Sequence, residues 1–286
     1  MRILVTGANG QLGNCLRKTF SNDKDLEVVY TDVQDLDITD REEVDHFIRE
    51  NNFDFIVNCA AYTAVDRAET DDLKAAAINT VAVGNIAQAA AKHRVKVIHI
   101  STDYVFNGEN YRPYEENDEP YPRSIYGRTK LEGEGILTSF CQDALIIRTA
   151  WLYSEFGGNF VKTMLRLASE HKSINVVADQ IGSPTYAGDL ADAIHHILRH
   201  NKWLPGIYHF TNEGVASWFD FSKAIFELAG KNVEVNPIPT SQYPTPAKRP
   251  LYSVLSKMKI KNTYGVKIPY WRDSLKKCLS LLGGII

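Results

Sequence analysis

The chain opens on Arg2-Ile3-Leu4-Val5-Thr6, an apolar strand pattern, and runs straight into glycines at positions 7, 10 and 13. This GxxGxxG spacing, with a strand before it and the helical pattern Gln11 to Phe20 after it, constrains the fold more than any other feature. Gly7 permits a tight turn, Gly10 lets backbone approach a pyrophosphate, and Gly13 allows helix and strand to touch. The helix start then turns its free N–H groups and positive dipole end toward phosphate oxygens. Glycine spacing alone is a weak signal, and the flanking strand and helix give it weight.

Alternation continues along the first half. Leu26 to Thr31 reads as a second strand ending at Asp32, and Thr39-Asp40-Arg41-Glu42 has capping-box spacing ahead of a helix to about Arg49. Phe53 to Cys59, Val95 to Ile100 and Ala144 to Arg148 read as buried strands. Asp72 to His93 and Tyr126 to about Phe140 read as helices. Such alternation predicts an α/β fold with a Rossmann-like, doubly wound parallel sheet. After Thr149 the rhythm loosens. Asn159 to His171, Asp189 to Arg199, Ser217 to Leu228 and Tyr270 to Leu282 have helical patterns, with strands at Ile174 to Val177 and Gly206 to Phe210. Prolines at 237, 239, 244, 246 and 250 exclude regular helix there. The pattern predicts a dinucleotide-binding domain over 1–150. Residues 151–286 are then mainly a smaller α/β substrate-binding lobe, some of whose elements pack back on the first domain.

The chemistry concentrates at strand ends. Asp32 stands about twenty residues past the glycine turn, where a carboxylate binds an adenosine ribose and leans the choice toward NADH over NADPH. Small residues Ala60 and Ala61, between Cys59 and Tyr62-Thr63, admit a flat ligand to the third strand's end. Ser101-Thr102-Asp103 follows the next strand, and Thr102 is placed to hydrogen-bond a substrate oxygen. The long loop Asn107 to Arg123 lies beyond it, where ligands bind in open parallel sheets. Tyr126 and Lys130 stand at i and i+4, on one face of a helix. A phenol titrates near 10 in water, and a neighbouring ammonium is expected to draw it toward neutrality for proton transfer. With 14 tyrosines, about one YxxxK arises by chance. Its position after the glycine turn and Thr102 makes it informative. Trp151, coming off the following strand, is a candidate wall against a sugar or base, and Arg249 a candidate diphosphate ligand.

Several classes are excluded by what the chain lacks. A formal charge of -3 gives no ground for nucleic acid or an anionic membrane as partner. No stretch reaches the roughly 20 apolar residues of a membrane span. With the first strand beginning at Arg2, a cytoplasmic location is expected. Cys15, Cys59, Cys141 and Cys278 are scattered without metal spacing, and neighbours His195 and His196 leave a helix in different directions, so no metal site is predicted.

Longer tracts carry a resemblance. They are Val5 to Gly13, Asn58 to Asp66, Ser101-Thr102-Asp103-Tyr104-Val105-Phe106, Tyr126 to Glu134, Arg148-Thr149-Ala150-Trp151, Asn159 to Leu165, Asp179 to Thr185 and Pro246 to Pro250. In these the chain resembles the extended short-chain dehydrogenase/reductases and, within them, the dTDP-4-dehydrorhamnose reductase family. The resemblance implies NAD(P)H-dependent reduction of the 4-keto group of dTDP-4-dehydro-β-L-rhamnose, the last step of dTDP-L-rhamnose synthesis, for cell-surface polysaccharide. It implies Tyr126 as proton donor, Lys130 as its partner and ribose ligand, and Thr102 as the residue adjusting proton transfer. Gly7, Gly10, Gln11, Leu12, Gly13, Asp32, Asp37, Ile38, Ala60, Ala61, Tyr62 and Thr63 would line the cofactor, and Thr102, Asp103, Trp151 and Arg249 the dTDP-sugar. Some family members bridge a homodimer with Mg2+ through a glutamate just past the third glycine. Asn14-Cys15 stands there, and Leu282 to Ile286 adds no carboxylate side chain, so Mg2+ is doubtful although a homodimer remains open. Two other readings are a related nucleotide-sugar reductase or epimerase and a non-catalytic NADP-binding subunit. Dehydratases of this fold need an acidic pair beside Thr102, and Asp103 is followed by Tyr104. A binding subunit could dispense with Tyr126 and Lys130, and both are present.

Overall fold

Ile3, Val5, Val57, Ile98, Leu145 and Ile147 pack on one side of a sheet, while Leu4, Ile56, Val97 and Ile146 pack on the other. Strands apolar on both faces must be covered on both, which is the situation of parallel sheets with crossover helices. The computed structural model, which describes residues 1–283, has this arrangement. Its strands are β1 (Arg2–Thr6), β2 (Glu27–Thr31), β3 (Phe55–Asn58), β4 (Lys96–Thr102), β5 (Leu145–Thr149) and β6 (Gly206–His209). They form one sheet in the order β6-β5-β4-β3-β1-β2, parallel at every pairing. The order reverses between β1 and β3, which opens a crevice at their carboxyl ends.

The principal helices are α1 (Gln11–Phe20), α2 (Arg41–Asn51), α3 (Ala82–His93), α4 (Ile125–Phe140), α5 (Phe160–Glu170), α6 (Ala187–Arg199), α7 (Trp218–Leu228) and α8 (Trp271–Leu281). Leu12 and Leu16 of α1 share a core with Leu190 and Ile194 of α6, whereas α2 and α3 cover the opposite face. Both β6 and α6 come from the second half of the chain. A third core, with Tyr153, Phe221, Leu275 and Leu279, joins α5, α7 and α8 beside the short parallel pair Ser173–Val177 and Glu234–Ile238. No helix among the described residues is long and apolar enough to cross a membrane.

Two local expectations need correction. The start of α2 is capped by Asp40, whose Oδ1 accepts from Glu42 N and Glu43 N at 2.9 and 3.0 Å. Thr39 instead gives its hydroxyl to Asp37 Oδ1. Asp72 to His93 is also not one regular helix: a π-helical turn, Ala77–Val81, separates Asp72–Ala76 from α3. An extra residue of this kind re-aims a side chain. Here it buries Asn79 fully, with Oδ1 accepting from Tyr62 N at 2.9 Å and Nδ2 donating to Tyr62 O and Thr129 Oγ1, both at 3.2 Å. Asn79→Ala leaves those groups unpaired and is expected to lower unfolding free energy by about 1–3 kcal/mol, read by urea denaturation.

Candidate active site

The carboxyl ends of β1, β3, β4 and β5 surround a cleft of about 1060 Å3. Gly7 enters its turn at φ +62°, and a Cβ there would lie 2.6 Å from Ala60 N, so the turn and the end of β3 touch backbone to backbone. A Cβ on Gly13 would lie 2.5 Å from Ala8 Cα, so helix and turn meet as closely. The first turn of α1 carries no acidic residue, leaving its N–H groups and dipole uncompensated toward the cleft. Cradle and charge both fit a dinucleotide pyrophosphate.

Gly10, Gln11, Leu12, Asp32, Asp37, Ile38, Ala60, Ala61 and Thr63 all line this cleft. Asp32 follows β2 and accepts from Asn9 N and Val33 N, both at 2.9 Å, which fixes its carboxylate at the rim. The Thr39 hydroxyl and N–H hold the Asp37 carboxyl below the usual range. Gln11 reaches across, its Oε1 accepting from Asn159 Nδ2 at 2.9 Å and Ser154 Oγ at 3.1 Å. Tyr62 is not among the lining residues: its backbone is clamped by Asn79, its ring packs with Ala68 and Ala75, and its hydroxyl donates to Asp71 Oδ2. Arg249 also stands off the cleft. Asp66 takes its Nη2 at 2.6 Å and Tyr104 OH its Nη1 at 3.1 Å, so it braces Tyr104, which does line the cavity.

At the other end, Ser124 caps α4 by accepting from Gly127 N, and the helix brings Tyr126 and Lys130 into the cleft with Thr102, Asp103 and Trp151. The Tyr126 ring meets Tyr104 edge-on, centroids 5.5 Å apart. Burial drives its phenol above the ordinary value, and the Thr102 hydroxyl opposes this. Lys130 is 1% exposed. Its Nζ donates to Ile100 O at 2.7 Å and lies 3.3 Å from His99 Nε2. The ammonium therefore does not draw the phenol down in this structure: it is bonded to β4, and desolvation governs the tyrosine. Desolvation likewise lowers Lys130, to about 8. Asp103 is pushed up to about 6 by burial, tempered by the nearby hydroxyls of Ser253 and Thr102. Trp151 adopts φ +50° and stacks flat on Trp218, centroids 3.5 Å apart.

A lysine depressed in the fold is protonated more in the unfolded chain between its two values, so stability rises with pH across that interval. The unfolding free energy of the unaltered protein minus that of Lys130→Met is expected to be flat below about pH 8 and to grow from there toward 10.5. The full gain is roughly 3 kcal/mol, measured by denaturant titration at each pH.

Four buried polar residues had no assigned part in the sequence reading. Arg148 Nε and Nη2 donate to Glu134 Oε1 and Oε2 at 2.9 and 2.7 Å, and Ser101 Oγ donates to the same Oε1 at 2.5 Å. Glu134 is the next i+4 step after Tyr126 and Lys130, a signal the spacing did contain. His99 contacts Lys130 from β4, and only burial and register bring those two together.

A doubly wound parallel sheet, a glycine turn at its reversal point and a Tyr/Lys pair on the adjoining helix define the class of short-chain dehydrogenase/reductases. A family model described as RmlD substrate binding domain matches residues 1–283, and the chain belongs to that family. It is 43% identical over 285 residues to the dTDP-4-dehydrorhamnose reductase of Aggregatibacter actinomycetemcomitans, covering 96% of this chain and 97% of the relative. The solved dTDP-4-dehydrorhamnose reductase of Clostridium acetobutylicum superposes with a TM-score of 0.96 at 44% identity, over 99% of this chain and 100% of that one. The corresponding structure from Bacillus anthracis, in complex with NADP, gives 0.94 at 39% identity, over 98% and 99%.

Proposed function

We propose that this protein uses NADPH or NADH to reduce the 4-keto group of dTDP-4-dehydro-β-L-rhamnose, forming dTDP-L-rhamnose. The observation that carries the reading is the convergence of Tyr126, Lys130, Thr102 and Trp151 on the cleft that begins at the glycine turn. The names and identities of the relatives support the substrate. In this reading residues 1–150 hold the dinucleotide and 151–286 mainly the sugar nucleotide.

Gly7, Gly10 and the α1 start would hold the pyrophosphate, Asp32 the adenosine ribose, and Lys130 the nicotinamide ribose. A bound reduced nicotinamide supplies the hydride. Tyr126 gives its phenolic proton to the carbonyl oxygen, and its burial keeps that proton in place until the carbonyl arrives. Thr102 Oγ1 accepts from Tyr104 N and donates its one hydrogen to Asp103 Oδ1 at 3.0 Å, so it would turn that hydrogen to the same oxygen when the ketone binds. Trp151, held flat by Trp218, forms the wall for the sugar nucleotide. Holding these groups together around one carbonyl supplies much of the rate gain.

The purified protein is expected to oxidise NADPH only when dTDP-4-dehydro-β-L-rhamnose is present, with dTDP-L-rhamnose identified by mass and NMR. Tight dinucleotide binding without turnover would leave a binding subunit in its place.

A further inference from the structure

A line of buried polar groups runs beneath the cleft from β1 through β3 and β4 to α4. Thr6 Oγ1 donates to Asn58 Oδ1 at 2.7 Å, and the backbone N–H of Ala60 donates to the same oxygen at 3.2 Å. A backbone N–H cannot accept, so Ala60 fixes which end of the Asn58 amide is oxygen. Asn58 Nδ2 is then left facing His99 Nδ1, 3.0 Å away. Both Nδ2 hydrogens are donors, so His99 Nδ1 must accept. A neutral imidazole that accepts on Nδ1 carries its hydrogen on Nε2. His99 is fully buried, and burial is the main cause that keeps it neutral.

That Nε2–H faces Lys130 Nζ at 3.3 Å. An ammonium has three donors and no lone pair, so it meets this hydrogen head-on. The amine form accepts it and still donates to Ile100 O, 2.7 Å away. We propose that His99 is a positioning residue of the reductase site, locked by Asn58 as the Nε2–H tautomer so that it favours the amine of Lys130 over its ammonium. Burial is the main reason that Lys130 is lowered, and this contact acts in the same direction.

The other groups facing Lys130 do not produce the same effect. Cys59, beyond β3, is pushed up to about 12 by burial and is uncharged. Tyr126, on α4, is held protonated by burial. Glu134, one turn on, favours the ammonium and is itself paired with Arg148 of β5. On β4, then, the His99 Nε2–H adds to burial in easing loss of the Lys130 proton, against the Ile100 carbonyl, which favours the ammonium. The functional consequence rests on the reductase reading, but the tautomer does not.

Nitrogen-15 NMR of histidine-labelled protein reads the tautomer directly. His99→Asn or His99→Gln identifies its signal among the eight histidines. The Nε2–H form is expected, and an Nδ1–H or imidazolium signal overturns the proposal. In turnover, the alkaline limb of kcat is expected near pH 8 in the unaltered protein and about one unit higher in His99→Asn, with KM unchanged. A limb that stays in place overturns the proposal too, because a purely structural histidine would alter rate without moving it. An unaltered protein that shows the Nε2–H signal but no ketoreductase activity would remove the reading of the preceding subsection and the positioning role with it, and leave only the tautomer assignment standing.

Discussion

Tyr126→Phe is expected to lower kcat for the 4-keto sugar by about 10²–10⁴-fold, the range for losing a positioned general acid. The substitution keeps the ring that packs edge-on against Tyr104 and deletes only the oxygen. Dinucleotide affinity should therefore stay within about twofold, because lost transition-state contact lowers kcat without touching uniform binding. Fluorescence titration with NADPH and steady-state assay of the same preparation separate the two. Retention of most activity would mean that another group supplies the proton. Thr102 and Asp103 are the nearest candidates, so Thr102→Val in the Tyr126→Phe background would identify it.

Arg148→Met should produce the largest loss of stability of any single change considered. Arg148 and Glu134 are 1% and 3% exposed, and removing one member leaves the other charge buried. Breaking such a pair costs about 3–5 kcal/mol, a fall in Tm of roughly 5–15 °C. The double variant Arg148→Met/Glu134→Leu should recover most of this, because a well-packed apolar pair replaces two desolvated charges at little net cost. Recovery would show that the ion pair's value lies in specificity: it ties β5 and, through Ser101, β4 to the helix carrying Tyr126 and Lys130. If the double variant is as unstable as the single, Arg148 contributes mainly by packing, as its position 5.1 Å from the Phe106 ring centre would allow.

What was legible in the chain was whatever short spacing could carry. Gly7, Gly10 and Gly13, the i/i+4 pair Tyr126 and Lys130, and Thr102 at a strand end are local patterns, and all of them line one cleft. What was not legible depends on partners far away in sequence. Tyr62 looked like a cofactor residue because it follows Ala60-Ala61, yet Asn79 pulls its backbone inward from a π turn that no residue pattern announced. Arg249 looked free to bind phosphate, but Asp66, 183 residues earlier, holds it. Two adjacent capping residues, Thr39 and Asp40, could not be told apart without the backbone geometry. The expected effect of Lys130 on the phenol failed for a similar reason: desolvation depends on depth, and depth is set by the whole sheet.

The π turn has a consequence for insertions and deletions. Each residue of an α-helix advances the chain by about 100° around its axis. Deleting any one residue from 77–81 would smooth the coil into ordinary form and, by local propensity, make it a better helix. The same deletion would leave the helix before and after it in phase, because a π turn absorbs one extra residue, but would remove the wide turn in which Asn79 sits against the loop at Tyr62 and against Gly133, where a Cβ would already collide with Asn79 O. In this protein the apparent imperfection is what lets one side chain tie two stretches of chain together.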